Sequence, residues 1–163
     1  MKTRRQHLQQ VRSLLAFLTV MSGQKLLAEN PALNAVCPIM TKDDADSDVL
    51  VNYRGVEIAF CCGPCVKQFK KEPDYYARLF QEMGSVPQLK SVQVPGEVSL
   101  LAQRFCPFSS SRVIGPASPS VDYSGVKVYL SKPGHVATWK EEPEKHARAA
   151  FNKGLLPQLD GKI

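Results

Sequence analysis

Tyr53–Leu89, YRGVEIAFCCGPCVKQFKKEPDYYARLFQEMGSVPQL, aligns without a gap on Tyr123–Leu159, YSGVKVYLSKPGHVATWKEEPEKHARAAFNKGLLPQL, with 13 identities in 37 positions at a constant offset of 70. A repeat at a fixed period decides the architecture before any single element is assigned. Among the shared residues are Tyr53/Tyr123, Gly55/Gly125, Val66/Val136, Glu72/Glu142, Pro73/Pro143, Gly84/Gly154 and the Pro-Gln-Leu endings. Upstream, Cys37-Pro38 matches Cys106-Pro107 with one more residue in the second loop. The chain therefore divides into a segment 1–28, a first unit 29–90, a connector 91–105 and a second unit 106–163.

Each unit reads the same way. Alternation over Val49–Phe60, interrupted at Arg54-Gly55, predicts a two-stranded hairpin whose turn is supplied by glycine. Cys65–Lys71 predicts a short helix, and Glu72-Pro73-Asp74 a break that opens a second one, because proline suits a first helical turn and disrupts an interior. Val66, Phe69, Tyr76 and Phe80 recur at helical spacing and form a candidate core, with Val136 and Trp139 as their counterparts. In the connector, VSLLAQRF predicts a short helix packing the units together. The fold class is α+β: two small repeated units, the second completing the core as an internal pseudo-dimer.

The first thirty residues do not read as folded protein. Lys2, Arg4, Arg5 and Arg12 precede the apolar run Ser13–Gly23, and Leu26-Leu27-Ala28 offers a small residue for cleavage, the pattern of a signal peptide. The run is short for a bilayer span, so membrane attachment is expected only if the segment is retained uncleaved. Export to a periplasmic or extracellular space also removes the basic excess. The chain has 21 basic and 15 acidic residues, and residues 1–28 hold five of the basic ones, leaving 16 against 15. Such a balance lacks the electrostatic footprint of nucleic-acid binding.

The copies differ most in their cysteines. The first has Cys37, Cys61, Cys62 and Cys65; the second has Cys106 and then Ser131, Lys132 and His135. CPIM followed by YRGVEIAFCCGPCVKQFKKEPDYY resembles the YHS domain, and the thiol pattern is similar to that of the related TRASH domains, with a spacer of 23 residues between Cys37 and Cys61. The resemblance covers Cys37–Leu79 and is degenerate over Cys106–Ala149. It implies a treble-clef-like unit of hairpin and helices, a role in heavy-metal binding, sensing or trafficking, and a metal transporter or acceptor protein as partner, since such domains are often appended to copper-transporting ATPases.

The chemistry of the residues leads the same way. A cysteine before the hairpin and two at the strand-to-helix junction can converge, and Cys65 in a first helical turn faces free N–H groups that favour thiolate. Three or four thiolates suit zinc or copper(I). Successive strand residues point to opposite faces, so if Cys61 and Cys62 both lie on the strand, Cys37, Cys61 and Cys65 are the expected ligands, with Cys62 a candidate fourth.

Other readings start from the same residues. Cys62-Gly63-Pro64-Cys65 has the spacing of a redox dithiol, and in an oxidising compartment Cys62–Cys65 or Cys37–Cys61 are candidate structural disulfides. A structural zinc or a purely interacting role is a further alternative. Cys106 and His135 offer only two ligands, so His135 is expected at the surface, and His146, in a charged helix, in solvent. Asp43, Asp44, Asp46 and Asp48 do not make a calcium loop, because counting from Asp44 puts Val49 where glycine is required and Gly55 where glutamate is required. No nucleophile-triad order, phosphate loop or dinucleotide fingerprint occurs, and no enzymatic activity other than thiol exchange is expected.

Overall fold

The computed structural model describes residues 33–163, and the predicted signal segment lies outside the described residues. Among the described residues no helix is long and apolar enough to cross a membrane. The described residues are mixed α/β, with four α-helices and small antiparallel strand pairs. In the first unit β1 (Asp46–Tyr53) pairs with β2 (Val56–Phe60), followed by α1 (Gly63–Lys71), α2 (Pro73–Met83) and a 3-10 turn at Pro87–Leu89. A short pair, β3 (Phe105–Cys106) and β4 (Ser109–Val113), then leads to β5 (Ser120–Tyr123), β6 (Val126–Tyr129), α3 (Pro133–Glu141), α4 (Pro143–Phe151) and a second 3-10 turn at Pro157–Leu159. The starts of β2 and β6, of the paired helices and of the 3-10 turns are all separated by the 70 residues of the sequence repeat.

Local chemistry accounts for these elements. Arg54 and Gly55 have φ of 52° and 86°, and Ser124 and Gly125 have 50° and 76°. Two consecutive left-handed residues make the hairpin turn whose twist matches the flanking strands, so glycine supplies only half of each turn. Pro73 and Pro143 each sit in a first helical turn, and the residue before each leaves the helical region, Glu72 at φ −145°, ψ 64° and Glu142 at φ −142°, ψ 65°. The helix expected over Cys65–Lys71 begins earlier, at Gly63, with Pro64 in its first turn.

The connector departs from expectation. Val98–Phe105 forms no helix and runs as irregular, extended chain into β3. Val92, Val94, Val98 and Leu100 are half-buried against the first unit's core while Gln93, Pro95, Glu97 and Ser99 are exposed, an alternation of two that overrides helical propensity. The single shared core is also corrected: the described residues form two. One gathers Ile39, Ile58, Phe60, Phe69, Tyr76 and Phe80, the other Ile114, Val128, Leu130, Trp139 and Leu156, and Leu101 packs against both.

The units are tied together by backbone. Thr41 N–H donates to Ser111 O at 2.8 Å and Val113 N–H to Ile39 O at 2.9 Å, so β4 extends the first unit's cysteine loop as an added strand. Gln68 donates to Val113 O at 2.8 Å and accepts from Arg112 at 3.1 Å. Gly115 lies so close to Tyr76 that a Cβ there would come within 2.8 Å of the ring Cζ, which leaves room for glycine alone.

A buried amide is repeated as well. Asn34 donates to Val36 O and Ala59 O, both at 2.8 Å, and accepts from Ala59 N–H at 3.0 Å. Gln103 makes the same set with Phe105 O, Tyr129 O and Tyr129 N–H. Gln88 donates to Asn34 Oδ1, and Gln158, from the second Pro-Gln-Leu, donates to Gln103 Oε1. Each amide caps the open edge of β2 or β6 and pins the cysteine segment against it. Asn34→Ala strands the buried Ala59 N–H, and urea unfolding should show a loss of about 1–3 kcal/mol.

Candidate metal centre

Cys37 follows the Val36–Asp44 bridge, and its own N–H donates to Asp43 O at 2.9 Å, closing a tight loop around the thiol. Met40 N–H points at Cys37 Sγ at 3.4 Å. On the other side, β2 ends at Phe60, Cys61 and Cys62 form the junction, and Cys65 lies in the first turn of α1, its N–H bonded to Cys62 O at 3.1 Å. The fold thus brings the loop thiol and the helix-start thiols to one place. Cys37, Cys61 and Cys65 have sulfurs that all lie within 4.8 Å of one another, a cluster that could hold a metal ion.

Cys62 belongs closer to this cluster than strand alternation implies. Its sulfur is 3.5 Å from Cys61 Sγ and 3.5 Å from Cys65 Sγ, while Cys61 and Cys65 are 3.6 Å apart. Neither Cys61 nor Cys62 is in the strand, and Cys62, in extended backbone at φ −168° where α1 starts, touches Cys61 and Cys65 without joining the mutually close set with Cys37. Sulfurs held at about 2.3 Å around a tetrahedral zinc stand about 3.8 Å apart, close to these separations. All five cysteines are free thiols, so neither Cys62–Cys65 nor Cys37–Cys61 is bridged.

Burial divides the cluster. Cys37 and Cys65 are fully buried, while Cys61 and Cys62 are half-exposed, so one edge faces solvent and the rest rests on the first core. The Cys65 thiol donated to Cys37, against the opposing effect of burial and with help from the N–H groups of Cys61, Met40 and Ile39, brings Cys37 down from 9.0 to about 5. Burial, with hydrogen bonds to Cys62 and Cys37, pushes Cys61 up to about 12. Cys65 is raised by the hydrogen bond to Cys37 and by burial. For Cys62 burial is outweighed by the Cys65 N–H and the neighbouring thiols, and the thiol is lowered. Cys37 and Cys62 are thus pushed toward thiolate, and Cys61 and Cys65 toward thiol.

The second unit keeps the place and changes the donors. Cys106 is fully buried, its Sγ is 3.3 Å from His135 Nδ1, and Ser131 Oγ is 3.1 Å from the same nitrogen. His135 is therefore not a solvated surface histidine: it is half-buried, faces Cys106, and packs on Phe108 with ring centroids 5.0 Å apart. Burial, then Lys132 and Arg112, hold it below its ordinary value. His146 is corrected too, being half-buried against Phe108 at 4.9 Å and Trp139 at 6.2 Å. Trp139 is buried in the second core. The acidic side chains of Asp43, Asp44, Asp46 and Asp48 are exposed.

No family model, no curated protein and no solved structure matches this chain.

Proposed function

We propose that this chain is an exported YHS-like metal-binding protein that carries or sequesters one zinc or copper ion at Cys37, Cys61, Cys65 and Cys62. The observation that carries this reading is the convergence of four thiols from two separate segments, three of them mutually within 4.8 Å. The half-exposure of Cys61 and Cys62 supports carriage over a sealed structural site, because an incoming ligand can reach two of the sulfurs. A metal transporter or acceptor thiol protein is the partner that this chemistry calls for. In this reading the hairpin-and-helix unit is treble-clef-like, and the segment 1–28 directs export to the periplasm or beyond.

Exchange tests carriage. Zinc on the full chain should pass to a chromophoric chelator within minutes, and a structural site would hold it far longer. Proton release offers an independent check. Cys61 and Cys65 are raised and carry protons at neutrality, so loading expels at least those two protons. Binding therefore strengthens as pH rises, by about a hundredfold or more per pH unit near neutrality. Competition titrations across that range that gave a pH-independent affinity would contradict the assignment.

A dithiol reading has one specific observation in its favour: Cys62, half-exposed with a lowered thiol at the start of α1, stands 3.5 Å from Cys65. In that case Cys62→Ser abolishes reduction of a test disulfide, and metal content has no influence on the rate.

A further inference from the structure

The geometry points to a second, weaker metal site in the second unit, with Cys106 Sγ and His135 Nδ1 as ligands and Ser131 Oγ as a third donor, taking one borderline cation of the zinc class. The repeat places Cys106 where the first unit has Cys37, Ser131 where it has Cys61 and His135 where it has Cys65. The supporting structure is kept with them. Ser131 N–H points at Cys106 Sγ at 3.4 Å, and the N–H of Cys61, its counterpart in the repeat, bonds to Cys37.

The separation suits a chelating pair. Around a tetrahedral zinc, a sulfur at about 2.3 Å and an imidazole nitrogen at about 2.0–2.1 Å stand about 3.6 Å apart. Cys106 Sγ and His135 Nδ1 are 3.3 Å apart, so opening by a few tenths of an ångström admits an ion. The His135 ring is held for this: Phe108 packs on it at 5.0 Å and is itself set edge-on to Trp139 at 6.3 Å. Sulfur, nitrogen and oxygen donors together favour zinc over softer ions. One thiolate replaces three or four, so affinity falls below that of the first cluster, and a fourth position stays open to water or an external ligand. The site does not depend on the first one being loaded.

The test is a zinc titration of the reduced full chain, made anaerobically, with the histidine ring nitrogens followed by NMR. The first equivalent should leave the His135 ring unmoved, and the second should shift His135 Nδ1. His135→Ala, at a half-buried position, should retain the fold and remove the weaker equivalent, and Cys106→Ser should do the same. A His135 ring that excess zinc does not move, or a second equivalent that survives His135→Ala, overturns the proposal; a purely hydrogen-bonded triad gives the first of these results. A His135→Ala chain that binds no zinc at all shows that the first cluster fails, while leaving the second site standing.

Discussion

Cys65→Ser should weaken zinc binding at the first cluster by more than about a hundredfold, since even the outer partners of a metal ligand are worth 10–100-fold. Cys65 is the shared neighbour in the cluster, standing 3.6 Å from Cys61 Sγ, 3.5 Å from Cys62 Sγ and within 4.8 Å of Cys37 Sγ. A serine hydroxyl in its place is a hard donor with a high pKa, and it leaves the metal only two or three thiolates. The second core contains none of these residues, so unit two should keep its helical signal and melt as before. Competition with a chelator measures the first effect and circular dichroism the second. Undiminished metal affinity in this variant would remove Cys65 from the ligand set.

Phe69→Ala should cost about 3–5 kcal/mol, the range for a large aromatic removed from a core. Phe69 is the hub of the first unit. Its ring stands 5.4 Å from Phe60, 5.9 Å from Tyr53, 6.4 Å from Tyr76 and 6.0 Å from Phe80, the last stacked at 16°. A unit of this size buries too little to absorb such a loss, and α1, which carries both Cys65 and Phe69, would lose its seat. On the proposed reading metal binds only the folded unit, so excess zinc should restore much of the helical signal through mass action. Urea unfolding with and without zinc distinguishes the outcomes: a variant as stable as the parent would show that the aromatic hub is not the unit's core.

Much of this architecture was legible in the chain itself. The 70-residue offset marks the units, Pro73 and Pro143 mark helix starts because their rings exclude a continuing helix, and the thiol positions at a loop and a helix start foretell a cluster. What escaped has definite causes. Val98–Phe105 was read as a short helix, yet Val92, Val94, Val98 and Leu100 turn inward with exposed residues between them and lie on an existing surface as extended chain. Strand alternation, the reason for ranking Cys62 fourth, stops at Phe60, yet the ranking matches the mutually close set of Cys37, Cys61 and Cys65. His135 and His146 were placed in solvent because their partners, Cys106 and Phe108, lie far away in sequence. The Asn34 and Gln103 amides carried a faint signal, an amide at the same position before each Cys-Pro, lengthened by one methylene in the second copy.

The central claim, that the thiols of the first unit hold a metal, is tested most directly by a zinc-edge X-ray absorption spectrum of the full chain loaded anaerobically with one equivalent of zinc. A shell of three or four sulfurs at about 2.3 Å is the result expected. A spectrum of nitrogen and oxygen scatterers alone would mean that FCCGPC and Cys37 do not form a metal centre.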